Sequence, residues 1–480
     1  MAPEADRDDD DHHHHHHPHV VVAAFPHGTH AGPLLSLTRR LAAAAPNATF
    51  SFFSTSKSNA SLNFPAAATN VTPYDVDDGV PPNHVFSGHP LEPVELFIKA
   101  TPHNFTKAFQ EAVSRNNNKK ISCIMSDAFF WFLAEVAADI NVPWVPLWTA
   151  ASTSLSLHLY TDLIRQTIAP DDAAATGKME ESLFMSFVPG VPSALRLQDI
   201  PAEVIGGDHA FPAMLHKMSH FIARATAVTV NSFDDLEPSV TQHLKSSNLF
   251  PTFLPVGPFN LIDSSPSNNN LLHDPHACLH WLAGREPASV AYISFGTVMT
   301  PPPPELAGLA EALEAIGAPF IWSIPDRAKH NLPQGFLERI GSTSDDRSQG
   351  KVVSWAPQVE LLSHEAVGVF VSHGGWNSVM ESVSGGVPLI CRPFLGDQRT
   401  NARLVSHVWG IGADLKDGRL SNKEGVMEAL ERVLKSEEGK LMRAKIKSLK
   451  ELAKKAVSPD GTSANNFSQL FNIVTSPPSP

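Results

Sequence analysis

A chain of 480 residues is too long for one ordinary hydrophobic core, and its 42% apolar content is that of packed globular domains rather than of a disordered chain. With 49 acidic residues against 36 basic ones the net charge is -13, which argues against a nucleic-acid surface, since that would want a basic stripe. Cys123, Cys278 and Cys391 lie far apart with no CxxC, so neither a disulfide framework nor a Cys-based zinc site is expected, and a reducing compartment fits.

The chain begins MAPEADRDDDD, acidic where a signal peptide would be basic, and no run reaches the length of a transmembrane helix. A cytoplasmic protein without membrane insertion is the expectation. His12 to His17 form a six-histidine run; residues 1–18 read as a solvated tail and take no part in the site argument. HVVVAAFP (19–26) reads as a buried strand, HGTHAG as a turn, and PLLSLTRRLAAAA as a helix with Pro33 near its start. ATFSFFST (48–55) is the next strand, which makes a βαβ opening. Residues 57–95 are rich in Pro, Asn and Asp and read as irregular; 95–114 are helical; 116–120 form a polar loop. ISCIMSD (121–127) is a strand, AFFWFLAEVAADI (128–140) a helix, and VPWVPLW (142–148) a strand. Residues 170–220 show no periodicity until HKMSHFIARA, and AVTVNSF (227–233) supplies the last strand of this half.

Residues 255–275 concentrate Pro, Ser and Asn and read as an interdomain linker. The second half runs through the helical ACLHWLAGR, the strand SVAYISFG (289–296), a helix after the prolines at 301–304, the strand PFIWSI, and VVSWAP. Charged helices occupy 423–457, and 462–476 are helical. No repeat of solenoid period is present; the pattern predicts an α/β chain of two doubly wound, Rossmann-like halves.

One stretch, 355–398, concentrates the chemistry: WAPQVELLSHEAVGVFVSHGGWNSVMESVSGGVPLICRPFLGDQ. VGVFVSH (367–373) is a buried strand, HGGWNS a glycine turn and VMESVSGG a helix, so the turn opens at the carboxyl end of a strand, where open α/β sheets bind ligands. Gly374 and Gly375 permit close backbone approach, and Asn377 and Ser378 read as N-caps of a helix whose N-terminus attracts phosphate. Trp355 offers a face for a flat base, Glu381 can accept from two ribose hydroxyls, His373 suits a diphosphate, and Asp397 and Gln398 can grip sugar hydroxyls. Thr149 in PLWTA and Thr297 in SFGT end strands and can reach a donor sugar and its phosphates. The same residues also fit an ordinary turn with a buried Trp and a capping Asn.

The order and spacing of this stretch closely resemble the signature box of plant UDP-dependent glycosyltransferases (family 1, GT-B fold). The chain from about His19 to Thr475 is similar to the flavonoid 3-O-glycosyltransferase branch. Family members usually read HCGWNS, where this chain has Gly374. The resemblance implies two Rossmann-like domains facing across a cleft: 19–254 for the acceptor, 276–455 for the UDP-sugar, and 456–480 carrying a helix that packs back on the first domain. It implies UDP-glucose as donor substrate and no cofactor or metal. The implied donor site comprises Thr149, Thr297, Trp355, Ala356, Gln358, His373, Trp376, Asn377, Ser378, Glu381, Asp397 and Gln398.

In FPHGTHAG the resemblance selects His30, not His27, as the catalytic base, and it makes Asp127 in SDAF the carboxylate that orients it. Taken alone, a strand-end Asp such as Asp127 reads more often as a helix cap than as an orienter. On the acceptor side it implicates His158, Leu91 and Leu395 beside His30. Gly28 stands where a serine can occur, Leu91 where a glutamine can, and Leu395 where the box often carries a second Phe; an apolar and permissive acceptor pocket is therefore expected. Gln398 is common in glucose-using relatives. The implied activity is inverting glucosyl transfer to a flavonol or anthocyanidin hydroxyl, the 3-hydroxyl above all, by a monomer. No G-x-G-x-x-G follows an early strand, no GxxxxGK[ST] occurs, and neither HExxH nor paired Cys points to zinc. A non-catalytic sugar-nucleotide or pigment-binding protein is the alternative from another class, and it has no need of both His30 and Asp127.

Overall fold

The computed structural model describes residues 17–476 apart from 63, 65–69, 90, 116–119, 169–182, 208, 263–273, 342–347 and 416–417. Nearly all of the N-terminal tail with its histidine run, most of the 116–120 loop and most of the 255–275 linker lie outside the described residues. The strands form two all-parallel sheets. The first has seven strands: β1 His19–Ala23, β2 Thr49–Thr55, β3 Val71–Val76, β4 Cys123–Asp127, β5 Trp144–Trp148, β6 Val228–Val230 and β7 Phe253–Pro255. Their spatial order is β3-β2-β1-β4-β5-β6-β7. The second has six: β8 Val290–Ser294, β9 Phe320–Ser323, β10 Gly350–Val353, β11 Val367–Ser372, β12 Leu389–Cys391 and β13 Gly412–Asp414. These run β10-β9-β8-β11-β12-β13. Both orders reverse direction next to their first strand, and a crevice opens outside the carboxyl ends of the strands at such a switch point. Strands such as β1, β4, β5 and β11 are buried along their whole length, because helices cover both faces of each sheet.

Several elements differ from the sequence expectation. Residues 57–95 are not irregular throughout: they hold most of the helix Ser56–Ser61, which starts directly after β2, and the edge strand β3. Pro73 disguises β3, and a sheet edge is where a strand tolerates proline. The following helix spans Glu92–Arg115 with Pro102 inside it. The helix expected from Ala128 begins only at Leu133. Asp127 Oδ1 accepts the Phe129 amide at 3.0 Å and holds a turn there instead. Val228–Val230 is not the last strand of its half, since β7 pairs beyond it in parallel and the helix Phe259–Ile262 follows. Three residues ending in proline carry no legible period.

The helix Thr462–Thr475 lies against the first sheet, not the second. Leu470 and Val474 are fully buried in one cluster with Val20, Val22, Phe50, Met125 and Leu147. Asn466 Nδ2 donates to the Pro255 carbonyl at 2.7 Å, and the Arg40 guanidinium sits 3.6 Å over the Phe467 ring. Further contacts join the two halves: Trp376 Nε1 donates to the Asn231 carbonyl (2.8 Å), Thr400 Oγ1 to the Asp199 carbonyl (2.7 Å) and Arg403 Nε to the Ala194 carbonyl (2.9 Å).

Candidate active site

Strands β1, β4 and β5 are neighbours and parallel, so the turns after them share one sheet edge. Each turn supplies one polar side chain. After β1 the chain folds back through Gly28, whose φ of 64° lies in the left-handed region, and His30 becomes the N-cap of the helix Ala31–Ala44. Nδ1 of His30 donates to Asp127 Oδ2 at 2.8 Å, and Thr149 Oγ1 lies 2.9 Å from the same nitrogen. Asp127 is 1% exposed and His30 24%. The carboxylate is thus enclosed, the tautomer is set, and Nε2 is left to act on a ligand. Asp127 is not a helix cap: the N-cap of Leu133–Asp139 is Phe132, while Asp127 Oδ1 holds the turn to Phe129 and Oδ2 holds the histidine.

His27 takes no such part. Burial first, then the neighbouring His30, lowers its pKa to about 4, and its ring packs edge-on to Phe25 and Phe97. His158 is 5% exposed, edge-on to Trp148 at 5.4 Å and held neutral by burial, with a pKa near 4. It can therefore offer an acceptor a neutral ring only. Phe25 and Phe129 flank the His30 ring at 5.3 and 4.7 Å, and Phe211 stands edge-on to Phe129 at 5.8 Å. These aromatic walls were not singled out from the sequence, although the run AFFWF directly after Asp127 was the available signal. Leu91 packs into the core cluster that holds Phe25 and Phe97, while Leu395 is 40% exposed.

The second sheet presents its carboxyl edge toward this turn. Asn377 Nδ2 donates to the Thr29 carbonyl at 3.2 Å, one residue from His30. The turn between β11 and the helix Trp376–Gly385 passes through Gly374 (φ 78°) to the N-cap Gly375. A Cβ on Gly375 would lie 2.4 Å from His373 Nε2, so the glycine admits the histidine ring itself. His373 is half-buried, and desolvation lowers its pKa to about 4 so that it is neutral, with Nδ1 lacking a protein partner. It can donate a hydrogen bond to a phosphate but brings no positive charge. Trp355 is 48% exposed beside the buried Ala356. Tyr292 donates to Gln358 Oε1 (3.1 Å), and Gln358 Nε2 donates to Glu381 Oε2 (2.5 Å) and Ser378 Oγ (3.3 Å). Burial raises the Glu381 pKa to about 7. Thr297 is exposed in the turn after β8.

Asp397 and Gln398 begin the helix Gln398–Arg403. Burial raises the Asp397 pKa to about 6, opposed by a hydrogen bond from Asn401 and by nearby His30, which places the carboxyl within electrostatic reach of the base. The preceding loop is anchored by Arg392, which forks onto Glu305 at 2.8 and 2.5 Å while its guanidinium covers the Phe394 ring.

Residues 54–454 match the family described as UDP-glucoronosyl and UDP-glucosyl transferase. The chain belongs to this family. It is 49% identical over 462 residues to a flavonol 3-O-glucosyltransferase of Arabidopsis thaliana, covering 95% of this chain and 97% of the relative. It is 47% identical to an anthocyanidin 3-O-glucosyltransferase of Vitis vinifera (96% and 98% covered). It is also 47% identical to an anthocyanidin 3-O-galactosyltransferase of Rhododendron delavayi (95% and 97% covered). A solved structure of a UDP-glucose: anthocyanidin 3-O-glucosyltransferase in complex with UDP superposes with a TM-score of 0.85 at 37% identity, covering 95% of this chain and 98% of that one. The two parallel sheets are the GT-B arrangement of this UDP-glucosyl transferase family, as the sequence resemblance implied.

Within this family framework five of the expected donor side chains have protein partners of their own. Trp376 is 4% exposed, and its indole joins the two halves through Asn231. Asn377 and Ser378 are not N-caps; the cap is Gly375, and the two side chains turn to Thr29 and Gln358. Thr149 is spent on His30, although its hydroxyl hydrogen stays available to a sugar. Gln398 does not present a complete amide, because Oε1 already accepts the Phe394 and Leu395 amides at 2.7 and 3.3 Å. Only its NH2 group is left to donate. Gly28, read as a lost polar contact, is the left-handed residue that turns His30 into place.

Proposed function

We propose that this chain transfers glucose from UDP-glucose, with inversion, to the 3-hydroxyl of a flavonol or anthocyanidin. The observation that carries the reading is the single nitrogen of His30 tied to Asp127, opposite a helix N-terminus built for an anion. His30 Nε2 removes the phenolic proton as that oxygen bonds to the anomeric carbon, and the bond from that carbon to the UDP oxygen breaks. Attack opposite the leaving group converts an α donor into a β-glucoside. Asp127 stabilises the imidazolium, and the N-terminus of the helix Trp376–Gly385 meets the charge developing on the diphosphate. Trp355 stacks on uracil, Glu381 takes the ribose hydroxyls, and Asp397 with the Gln398 amide group holds glucose. The names of the relatives support a flavonoid acceptor, and the aromatic walls around His30 suit one. In this reading the protein acts as a cytoplasmic monomer without a cofactor. Among the described residues no helix is long and apolar enough to cross a membrane.

The test is a panel of UDP-sugars and flavonoids with product linkage read by NMR. UDP-glucose and several flavonols are expected to react, 3-O-glucosides dominating, at a rate that chelator does not reduce. Clear preference for UDP-galactose overturns the donor, mainly 7-O or carbon-linked products overturn the regiochemistry, and restoration by Mg²⁺ alone overturns the metal-free mechanism.

A further inference from the structure

The helix Ala210–Phe221 carries His216 and His220 four residues apart, hence on one face. Asp162, in the helix Thr161–Ile168, faces both. His216 Nε2 lies 2.8 Å from Asp162 Oδ1 and 3.2 Å from His220 Nε2, and His220 Nε2 lies 3.5 Å from Asp162 Oδ2. One ligand atom from each of the three residues falls within 4.8 Å of the other two. Nitrogen and oxygen ligands sit ~2.0–2.1 Å from a tetrahedral zinc ion, so neighbouring ligand atoms around it stand roughly 3.3 Å apart. The separation between the two imidazole nitrogens, 3.2 Å, and that from His220 to Asp162 Oδ2, 3.5 Å, bracket that edge, while His216 lies closer to the other carboxylate oxygen, Oδ1. A histidine–carboxylate ion pair needs only one imidazole, whereas here a second ring nitrogen turns to the same point. The side chains are between 33% and 57% exposed, so a hydrated cation reaches them without opening the fold, and water can keep the fourth position.

We propose that Asp162, His216 and His220 bind a divalent transition cation of the zinc class and thereby clamp the two helices together. Imidazole and carboxylate are donors that zinc, nickel and copper accept and that calcium and magnesium do not favour in this combination. The site is separate from the donor cleft and has no step in the transfer reaction. Its helix does face that region: Phe211 stands against Phe129, and Ala213, Met214 and Lys217 help line a cavity of about 310 Å³ together with Phe25 and Phe129. A cation that clamps this helix therefore steadies a wall next to His30; this consequence alone rests on the acceptor assignment made above.

The six-histidine run would itself bind metal, so the test uses the full chain with all of His12 to His17 replaced by serine. Calorimetric titration with Zn²⁺ is expected to show one saturable equivalent, and Zn²⁺ is expected to slow amide exchange in both helices. Binding should weaken at least tenfold in the His216→Ala/His220→Ala double variant and in Asp162→Asn, which keeps the side chain's shape. No saturable uptake overturns the proposal, as does uptake that these variants leave unchanged. The exchange readout separates a clamp from stray binding at other histidines, where the two helices would exchange at the same rate with and without Zn²⁺.

Discussion

His30 has both Asp127 and Thr149 on Nδ1, which fixes the function of the other nitrogen. His30→Ala is expected to cut turnover by roughly 10²–10⁴, the range of a lost general base, with little change in UDP affinity because the donor groups lie on the other sheet. Single-turnover rates and UDP titrations check both halves, and near-normal turnover on a phenolic acceptor would remove the base assignment. Glu381 supplies a pH test. Its carboxyl, raised to about 7, is ionised above that pH and protonated below it. The ionised form accepts from two ribose hydroxyls, and protonation takes away part of that capacity. KM for UDP-glucose should therefore rise as pH falls from 8 to 6, through about 7, while Glu381→Gln should show a high KM without that dependence. A wild-type KM flat across the window would contradict the ribose role.

At the scale of the element, the decisive unit is β11, its glycine turn and the helix Trp376–Gly385. His373 occupies the space beside Gly375 that a methyl group would need, so the turn and the ring specify each other. The φ of Gly375 is -63°, which alanine adopts freely, so Gly375→Ala isolates the steric term. Displacing His373 and the first helical amides should weaken UDP binding by about tenfold, or ~1.4 kcal/mol, with the melting temperature changed far less. Isothermal titration with UDP decides it, and unchanged affinity would mean that the anion does not use this turn. The period of VGVFVSH and the glycine pair were legible in the sequence. The packing of His373 onto Gly375 was not, because no local pattern records which side chain fills a glycine's space.

For the whole molecule, the helix Thr462–Thr475 ties a late segment of the chain to the first sheet. Leu470 is fully buried against strands β1, β2, β4 and β5, over 300 residues away in sequence. Leu470→Ala should cost ~2–5 kcal/mol, the span for an aliphatic core truncation. Because this helix covers the sheet that positions His30 and Asp127, thermal unfolding followed by tryptophan fluorescence should move to lower temperature and activity should be lost at that same lower temperature. An unshifted transition would show that the helix is dispensable to the first sheet.

The sequence by itself determined the α/β class, the strands from β1 through β11 that are long and apolar enough to carry a period, and the polar residue types at their carboxyl ends. Those features are local: a buried parallel strand must be apolar, and a turn at a strand end must be small or polar. The strands β3 and β7 stayed hidden although each pairs with the strand just before it in the chain, because Pro73 breaks the apolar pattern of one and three residues ending in proline give the other no period. Only the tertiary structure decided what the side chains do. It gave Trp376 to the junction of the two halves, Thr149 to His30 and the Gln398 carbonyl oxygen to its own loop, and it brought Asp162 beside His216 and His220. Apart from the contact of Gln398 within its own loop, each of these joins partners that lie far apart in sequence, and such a choice exists only once packing has brought the candidates within reach.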